Sequence, residues 1–364
     1  MPLKKKFATA LDKAASGVEL TREEIITLLQ ARRPGEEERQ LFELADRVRR
    51  ENFGDEVHLR GIIEFSNYCR NDCHYCGLRR SNKEIQRYRI PLEEIVDTAK
   101  YAAELGYGTI VLQAGEDPYY SGEDLAEMIR KVKEAGDFAV TVCVGERSRK
   151  DYELMKEAGA DRYLLKHETA EPALFAELRP GTSLEERMKR LKWLRELGFQ
   201  VGSGNMVGLP GQTVETLADD ILLLKELDVE MAGIGPFIPH DQTPLRDAPA
   251  GDLNQTLKAL AVARLVLPKT HLPATTATGT LHPAGRKMAL GCGANVIMPN
   301  LSPASYRQMY QIYPEKAGSK ENADESHEKI TSLVKEVGRK ISTGRGDSPK
   351  EHFKNRPARR AGER

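Results

Sequence analysis

The sequence predicts an α/β fold, specifically a (β/α)8 barrel of the TIM type. Apolar runs of strand length alternate with amphipathic helical patterns, which indicates parallel strands that are each covered by the helix that follows. Eight such runs occur in 364 residues, and eight units close a barrel, although the same order could form an open doubly wound sheet. Four helical patterns end in a triplet whose glycine is typical of a helix C-terminal cap: Glu104-Leu-Gly106, Glu134-Ala-Gly136, Glu157-Ala-Gly159 and Glu196-Leu-Gly198.

The candidate strands, in chain order, are residues 58–65, 109–113, 138–144, 162–166, 199–207, 231–237, 272–278 and 295–298. The segments 92–105, 184–197 and 214–227 between them have the apolar spacing of amphipathic helices. In a parallel barrel, functional residues lie at the carboxyl ends of the strands and in the loops that follow. We therefore expect the functional site at that end.

An N-terminal helical cap is predicted at residues 1–52, before the barrel at residues 53–314. Thr21 and Glu24 form a capping box that begins a helix through Gln30, and residues 36–50 form a second helical pattern. We expect these two helices to close the N-terminal end of the barrel.

A C-terminal extension is predicted at residues 315–364. One amphipathic helix in it is marked by Ile330, Leu333, Val334, Val337 and Ile341. Disorder is expected from Ser342 onward, because the composition becomes charged and rich in Gly, Ser and Lys. The basic finish could contact an acidic partner or simply be solvated: Arg356, Arg359, Arg360 and Arg364.

The charge balance and the cysteine content indicate which kind of partner and which cellular compartment to expect. Lys plus Arg and Asp plus Glu number 55 each, so no overall field draws the chain to nucleic acid or to an anionic membrane. We expect a small-molecule partner, with no nucleic acid and no membrane. Five cysteines, no signal peptide and no apolar span of membrane length predict a reducing, cytoplasmic location.

Three cysteines directly after the first predicted strand are the most informative motif. Cys69, Cys73 and Cys76 have the spacing C-x3-C-x2-C. Structural zinc is usually held by four ligands, and simple Fe-S carriers use four thiolates, so three thiolates leave one metal position open. The alternative is a zinc loop with His74 as the fourth ligand, which would have to fold back between two of the cysteines.

This motif, with Tyr75 as the aromatic residue before the last cysteine, resembles the signature of the radical S-adenosylmethionine (SAM) enzymes. The resemblance implies a 4Fe-4S cluster on Cys69, Cys73 and Cys76, whose fourth iron chelates SAM. It also implies that an electron passed through the cluster cleaves SAM to a 5′-deoxyadenosyl radical, and that the open iron makes the protein oxygen-sensitive.

The end of the second predicted strand resembles the GGE motif of the same superfamily. It reads Gln113-Ala-Gly-Glu116, with Ala114 in place of the first glycine, and backbone carbonyls of this motif receive the ammonium group of SAM. Gly115 is suited to close backbone approach. The resemblance therefore implies that Gln113, Gly115 and Glu116 lie on the SAM side of the site.

Glu168 and Arg187 match two further positions that hold SAM in the superfamily. Without the resemblance they would be interpreted as a surface ion pair, although a guanidinium can bind a carboxylate with two donors. The glycine-rich segment 202–213 lacks the lysine of a phosphate loop and is expected to admit the nucleoside of SAM. The weaker SAM-side candidates are Tyr75, Thr141 and Met231.

Several motifs between His58 and Pro314 resemble the HydE-type maturases of FeFe-hydrogenase: Glu64-Phe-Ser-Asn67 and residues 113–120, 161–169, 234–243, 273–279, 295–300 and 306–313. This implies a mononuclear iron substrate that carries carbonyl, cyanide and cysteine, whose sulfur the radical attacks. An electron donor and other hydrogenase maturases are implied as partners. The residues that match substrate-side positions could equally be core residues of the barrel: Arg162, Thr275, Thr276, Tyr310 and Tyr313.

The sequence departs from this family in two respects, and three alternative functions remain open. No cysteine follows Cys292, so we predict no second cluster, and Ala114 replaces a serine of other members. Methylornithine synthase, a radical SAM mutase that acts on lysine, would need a carboxylate for the substrate amines. Biotin synthase would need more barrel cysteines than Cys143 and Cys292, which are interpreted as small buried hydrophobes. A non-catalytic Fe-S carrier would not need Glu168 and Arg187.

Overall fold

Parallel strands close into a barrel in the computed structural model, which describes residues 3–354. The strands are β1 (Glu56–Leu59), β2 (Gly61–Ser66), β3 (Thr109–Ala114), β4 (Ala139–Cys143), β5 (Arg162–Leu164), β6 (Gln200–Ser203), β7 (Met206–Val207), β8 (Met231–Ala232), β9 (Gly235–Pro236), β10 (Val296–Ile297) and β11 (Lys340–Ile341). Six of them form a continuous parallel sheet in the order β2-β3-β4-β5-β6-β8.

Single bridges complete the ring. Met231 of β8 bridges His271, Pro273 bridges β10, and β10 pairs in parallel with β1. Ile62 of β2 then bridges Asn300. The chain therefore forms the predicted closed barrel and not the open doubly wound sheet.

Helices cover the barrel between the strands and extend it at both ends. They are α1 (Leu3–Ala15), α2 (Arg22–Leu29), α3 (Glu36–Phe53), α4 (Leu92–Glu104), α5 (Gly122–Ala135), α6 (Arg149–Glu157), α7 (Pro172–Leu178), α8 (Leu184–Glu196), α9 (Val214–Glu226), α10 (Leu253–Val266), α11 (Thr276–Leu281), α12 (Gly285–Gly291), α13 (Ala304–Arg307), α14 (Ala323–Glu336) and α15 (Glu351–Lys354). The three amphipathic helices named above are confirmed as α4, α8 and α9. Among the helices of residues 3–354, none has the length and hydrophobicity needed to cross a bilayer.

The seventh predicted strand, residues 272–278, is largely wrong. Only the bridges at His271 and Pro273 occupy that position, and α11 begins at Thr276 with Thr275 as its N-cap. Pro273 has no backbone N–H to donate to a ladder, and the Thr275 side chain accepts a hydrogen bond from the Thr278 N–H. These two properties end the strand before the threonines, which are thereby placed at the mouth of the barrel, where the strands have their carboxyl ends.

The predicted N-terminal helices are present, but they do not fill the end of the barrel. The capping box at Thr21 begins α2 as expected. Helix α2 packs against α9 and α10, and α3 packs against α10 and α12. Helix α1 was not predicted, because it has no acidic residue in its first turn.

Residues 345–348 close the N-terminal end of the barrel, which we call the floor. Arg162 Nη2 donates to the Arg345 carbonyl and to Asp347 Oδ1, at 2.7 Å each. Gln200 Nε2 also donates to Asp347 Oδ1, at 2.8 Å, and the Thr109 hydroxyl donates to the Arg345 carbonyl at 2.8 Å. The tail therefore supplies the polar partners that buried groups at the strand starts require.

The expected disorder from Ser342 is corrected for the described part of the tail. Lys340 and Ile341 form β11, which pairs with β1, and residues 342–354 follow it across the floor into α15. Ile341 therefore belongs to this strand and not to the amphipathic helix, which ends at its C-cap Val337. The basic finish from Arg356 to Arg364 lies outside the described residues.

Candidate active site

A single cavity of about 380 Å³ opens at the mouth of the barrel. All of the predicted site residues except Thr141 and Arg162 line it, and they come from most of the strands and from the loops after them. The SAM-side and substrate-side candidates therefore share one volume. The predicted residues in the wall are Cys69, Cys73, Tyr75, Cys76, Gln113, Gly115, Glu116, Glu168, Arg187, Met231, Thr275, Thr276, Tyr310 and Tyr313.

The cysteine loop leaves β2 at Ser66 and packs directly on the end of β3. A Cβ atom at Gly115 would lie 2.1 Å from the Tyr68 carbonyl oxygen, so only glycine allows this contact. The next residue, Glu116, donates its backbone N–H to Cys69 Sγ at 3.4 Å. Gly115 thus permits a close approach, as predicted, and the approaching group is the cysteine loop itself.

The three thiols fit a multinuclear centre better than a single zinc ion. Burial raises the pKa of Cys69, Cys73 and Cys76, so these thiols become thiolates readily only when a metal replaces the proton. Their sulfurs are not all within 4.8 Å of one another, with or without His74. Zinc–sulfur bonds of about 2.3 Å require a tighter group. The zinc alternative is therefore disfavoured within residues 3–354.

The Glu116 side chain is held by the cysteine loop. Its Oε1 accepts from Arg70 Nε at 2.7 Å, and its Oε2 accepts from Asn71 Nδ2 and from the Glu146 N–H at 2.9 Å each. Gly145 has a φ of +74°, and a Cβ atom there would overlap this carboxylate. The Glu116 carboxylate therefore fixes the position of the cysteine loop against the wall of the cavity.

Glu168 is held in an unusual backbone conformation beside the cavity. Its φ is +66°, which is uncommon for a residue other than glycine and often marks a functional site. Its N–H donates to the Gly204 carbonyl at 2.9 Å, and its own carbonyl accepts from the Met206 N–H at 3.0 Å. Burial would raise the pKa of Glu168, but Lys166 and two nearby arginines outweigh it and lower that pKa. Glu168 is therefore an ionised acceptor in the cavity wall.

Arg187 is buried and its orientation is fixed. Its Nε donates to Glu146 Oε1 at 2.7 Å, and its Nη1 donates to the Lys166 carbonyl. Burial would raise the pKa of Glu146, but Arg187 and Arg190 lower it. The alternative interpretation of Glu168 and Arg187 as a surface ion pair does not hold, because the buried Arg187 pairs with Glu146.

Arg179 was not singled out in the sequence, yet it lies between the cysteines and Glu168. Its Nη1 donates to the Tyr75 hydroxyl at 3.0 Å, and its Nε has no partner among the described residues. Met231 lines the same wall, and its sulfur accepts from Arg60 Nη1 at 2.8 Å. No sequence motif marks Arg179, although it lies between Glu168 and Arg187 in sequence, just after the short helix α7.

Polar residues between Thr276 and Lys316 form the wall of the cavity opposite the cysteines. Arg286 Nη2 donates to Thr276 Oγ1 at 3.2 Å, and Gln113 Nε2 donates to the Tyr310 hydroxyl at 3.4 Å. Burial raises the pKa of Tyr310 and Tyr313, so both remain neutral hydrogen-bond donors. The hydrogen-bond partner of Arg286 in this wall is therefore the neutral hydroxyl of Thr276.

A buried ion pair completes this wall. Lys316 Nζ donates to both carboxylate oxygens of Glu64 at 2.6 Å, and Asn300 Nδ2 donates to Glu64 Oε2 at 2.7 Å. The ammonium group lies 4.8 Å from the centre of the Tyr310 ring. Sequence analysis missed Lys316 and Arg286 because both lie in loops or short helices without a recognisable motif.

Two predicted site residues are not brought to the cavity. Arg162 is the first residue of β5, so its guanidinium reaches the floor, where it binds Asp347. Thr141 is fully buried inside the barrel, one inward-facing position below Cys143, and Cys143 takes its place in the wall. The substrate role of Arg162 and the SAM role of Thr141 are therefore corrected.

The glycines of segment 202–213 serve the packing of the chain itself. A Cβ atom at Gly204 would lie 2.2 Å from the Gly233 oxygen, and one at Gly208 would lie 2.4 Å from Gly251 Cα. They allow neighbouring segments to approach each other, and Met206 between them lines the cavity. The packing of the chain thus accounts for these glycines, and the approach of a nucleoside to this segment stays a prediction.

A parallel barrel with three cysteines in a loop after its first strand defines a radical SAM enzyme. The family model described as "Radical SAM superfamily" matches residues 63–224. The crystal structure of methylornithine synthase (PylB) superposes with a TM-score of 0.82 at 28% sequence identity, covering 92% of this chain and 97% of that one. The carrier alternative is thereby excluded, since members of this superfamily are enzymes that use a 4Fe-4S cluster and SAM.

Two curated relatives place the chain within the superfamily. It is 54% identical to the [FeFe] hydrogenase maturase subunit HydE of Thermotoga maritima, over 82% of this chain and 86% of that protein. It is 31% identical to 3-methylornithine synthase of Methanosarcina barkeri, over 82% and 85% of the two chains. The chain belongs to the HydE family of radical SAM enzymes.

Proposed function

We propose that the protein is a maturase of FeFe-hydrogenase, which uses SAM to modify a cysteine-bound iron carbonyl cyanide complex. One observation carries the proposal: the cysteines and the polar wall of Thr276, Tyr310 and Tyr313 share one cavity of about 380 Å³. That volume suits SAM together with a small second molecule. The 54% identity to HydE supports the choice of reaction.

Cys69, Cys73 and Cys76 would hold the cluster, and Glu168 and Arg187 would hold SAM beside it. The cluster, when reduced and bound to SAM, would supply the electron that cleaves the sulfonium. Arg187, oriented by Glu146, offers its guanidinium to a carboxylate. Glu168 offers an ionised oxygen to the hydroxyls of a ribose or to an ammonium group. The largely apolar lining of the cavity excludes water from a reactive species.

The wall opposite the cysteines is suited to an anionic substrate. Arg286 donates to the neutral Thr276 hydroxyl and forms no ion pair among the described residues, although Tyr313 and the Glu321 carboxylate are near enough to act on its pKa. The carboxylate of that wall, Glu64, is already neutralised by Lys316. A mutase that binds lysine would need a free carboxylate for the substrate amines, so this arrangement favours the iron complex over lysine.

We propose a single cluster and a reducing, cytoplasmic location. Cys143 and Cys292 are the remaining cysteines; burial raises the pKa of Cys143 to about 12 and also raises that of Cys292. Both are therefore neutral thiols. An electron donor must reduce the cluster, and other hydrogenase maturases are the proposed sources and recipients of the iron complex.

The decisive experiment is anaerobic turnover of the reconstituted protein. Iron, sulfide, reductant and SAM are supplied with either the cysteine-bound iron carbonyl cyanide complex or lysine, and 5′-deoxyadenosine and adenosylated products are quantified. Product that depends on the iron complex supports the proposal. Methylornithine formed from lysine would replace it with the mutase function.

A further inference from the structure

The cysteine loop has little regular structure of its own, so its shape depends on side chains. Between Asn67 and Tyr88 the chain forms no helix or strand, and its backbone carbonyls must find other donors. Arg87 Nη1 donates to the carbonyls of Asn67, at 2.5 Å, and Leu78, at 3.0 Å. Its Nη2 donates to the carbonyls of Arg79, at 2.8 Å, and Asn82, at 3.1 Å. One guanidinium thus joins the chain before Cys69 to the chain after Cys76.

Arg87 differs from Arg70, Arg79 and Arg89, which lie in or just after the same loop, because no carboxylate of the described residues neutralises its charge. Arg70 pairs with Glu116, Arg79 with Asp72, and Arg89 with Asp117. Within residues 3–354, no carboxylate lies within ion-pair distance of Arg87. All four of its acceptors are neutral carbonyls, so a full positive charge remains behind the loop.

The Arg87 charge is close enough to Cys69 and Cys76 to interact with them electrostatically. Burial lowers the pKa of Arg87, while Cys69 and Cys76 act in the opposite direction. Arg87 is half-buried, so its field is screened less than that of a surface cation. A cation beside a cysteine stabilises its thiolate, and the potential of an Fe-S cluster depends on the net charge around it.

We propose that Arg87 is a positioning residue for the cluster: its guanidinium fixes the cysteine loop through four carbonyls, and its charge raises the reduction potential of the cluster. The proposal rests on the proposed function only in that Cys69, Cys73 and Cys76 hold the cluster. Reduction adds negative charge to the site, and the uncompensated cation favours that added charge.

The test compares three reconstituted proteins with the parent: Arg87→Met, Arg87→Lys and, as a matched control, Arg80→Met. Arg80 is an exposed arginine of the same loop, so its substitution removes the same formal charge from a solvent-screened position. Iron content and the midpoint potential of the cluster are measured anaerobically without SAM. We expect Arg87→Met to have a more negative potential, whereas Arg87→Lys and Arg80→Met keep the parent value.

A cluster at the parent potential in Arg87→Met would overturn the proposal. If Arg87→Met holds no cluster, Arg87→Lys decides between the two roles: a restored cluster supports the role of the charge, and an equally empty protein supports the role of the four carbonyl contacts and refutes that of the charge. A different result would refute the maturase function: the parent protein would hold a cluster and cleave SAM but make no product from the iron complex.

Discussion

The two ends of the barrel contain similar cations that have different partners. At the floor, the Arg162 guanidinium binds a carboxylate and a carbonyl of the tail. At the mouth, Arg179 and Arg286 donate only to hydroxyl groups and face a cavity. The comparison teaches that Arg162 is neutralised by the chain and has a structural role, whereas Arg179 and Arg286 keep their charge available to an anionic ligand.

Substitution of a cluster cysteine should have the largest effect on the site at the mouth of the barrel. Cys73→Ser should abolish both the cluster and the cleavage of SAM, because two thiolates cannot hold the centre that three hold. Iron content and 5′-deoxyadenosine formation measure the effect. Cys292→Ser is the matched control: this thiol is buried outside the cavity, so cluster content should be unchanged while stability falls by about 1–3 kcal/mol. Turnover of Cys73→Ser at the parent rate would refute the assignment of the site.

Arg187→Met should weaken SAM binding and leave the cluster in place. Loss of a buried charged donor costs about 3 kcal/mol, or on the order of 100-fold in the KM for SAM. Steady-state kinetics with the reconstituted protein measure this change, and the spectrum of the cluster without SAM should equal that of the parent. Lys189→Met, an exposed position on the same helix, is the control. An unchanged KM in Arg187→Met would remove Arg187 from the SAM site.

Asp347→Ala tests whether the floor is purely structural. It leaves the buried Arg162 without its carboxylate, which should lower the free energy of unfolding by about 3 kcal/mol. Denaturant unfolding measures this, with the exposed Asp241→Asn expected to stay within about 0.5 kcal/mol of the parent. The folded variant should keep the parent turnover number. A loss of turnover at full stability would contradict the division between the two ends.

A residue at the floor should also make the stability of the protein decrease at mildly acidic pH. Burial, with help from the Arg60 charge, lowers the pKa of His58 from 6.5 to about 4. The unfolded chain therefore takes up a proton below pH 6.5 that the folded chain refuses, and stability falls as the pH decreases from 6.5 to about 4. The slope from this residue should be roughly 1 kcal/mol per pH unit.

Unfolding free energies of the parent and His58→Gln between pH 7 and pH 5 measure that slope. The variant should show a flatter dependence, while His282→Gln, at an exposed position, should follow the parent. Identical slopes in all three proteins would show that His58 does not couple the floor to pH.

The sequence predicted the barrel and most of the mouth because both depend on local patterns. Helix-capping glycines and apolar runs follow from backbone and burial requirements, and the cysteine spacing is a property of one short loop. The tail was mispredicted for the same reason: its local composition resembles a solvated segment, and only the distant Arg162 and Gln200 give it a fixed position. Arg162 begins both the predicted strand 162–166 and β5, so the strand pattern already placed it away from the carboxyl end, and its substrate role rested on the resemblance alone.

Closure of the floor by the tail has a consequence for how the chain is made. Asp347 is 185 residues beyond Arg162 in sequence. At about 5–20 residues per second, translation separates the two by about 10–40 s. During that interval the strands from β6 to β10 are still being made, and Arg162 has no carboxylate partner from the tail. The tail therefore completes the floor only after the other strands of the barrel have been made, and a stop codon before Arg345 would leave the buried Arg162 without its carboxylate.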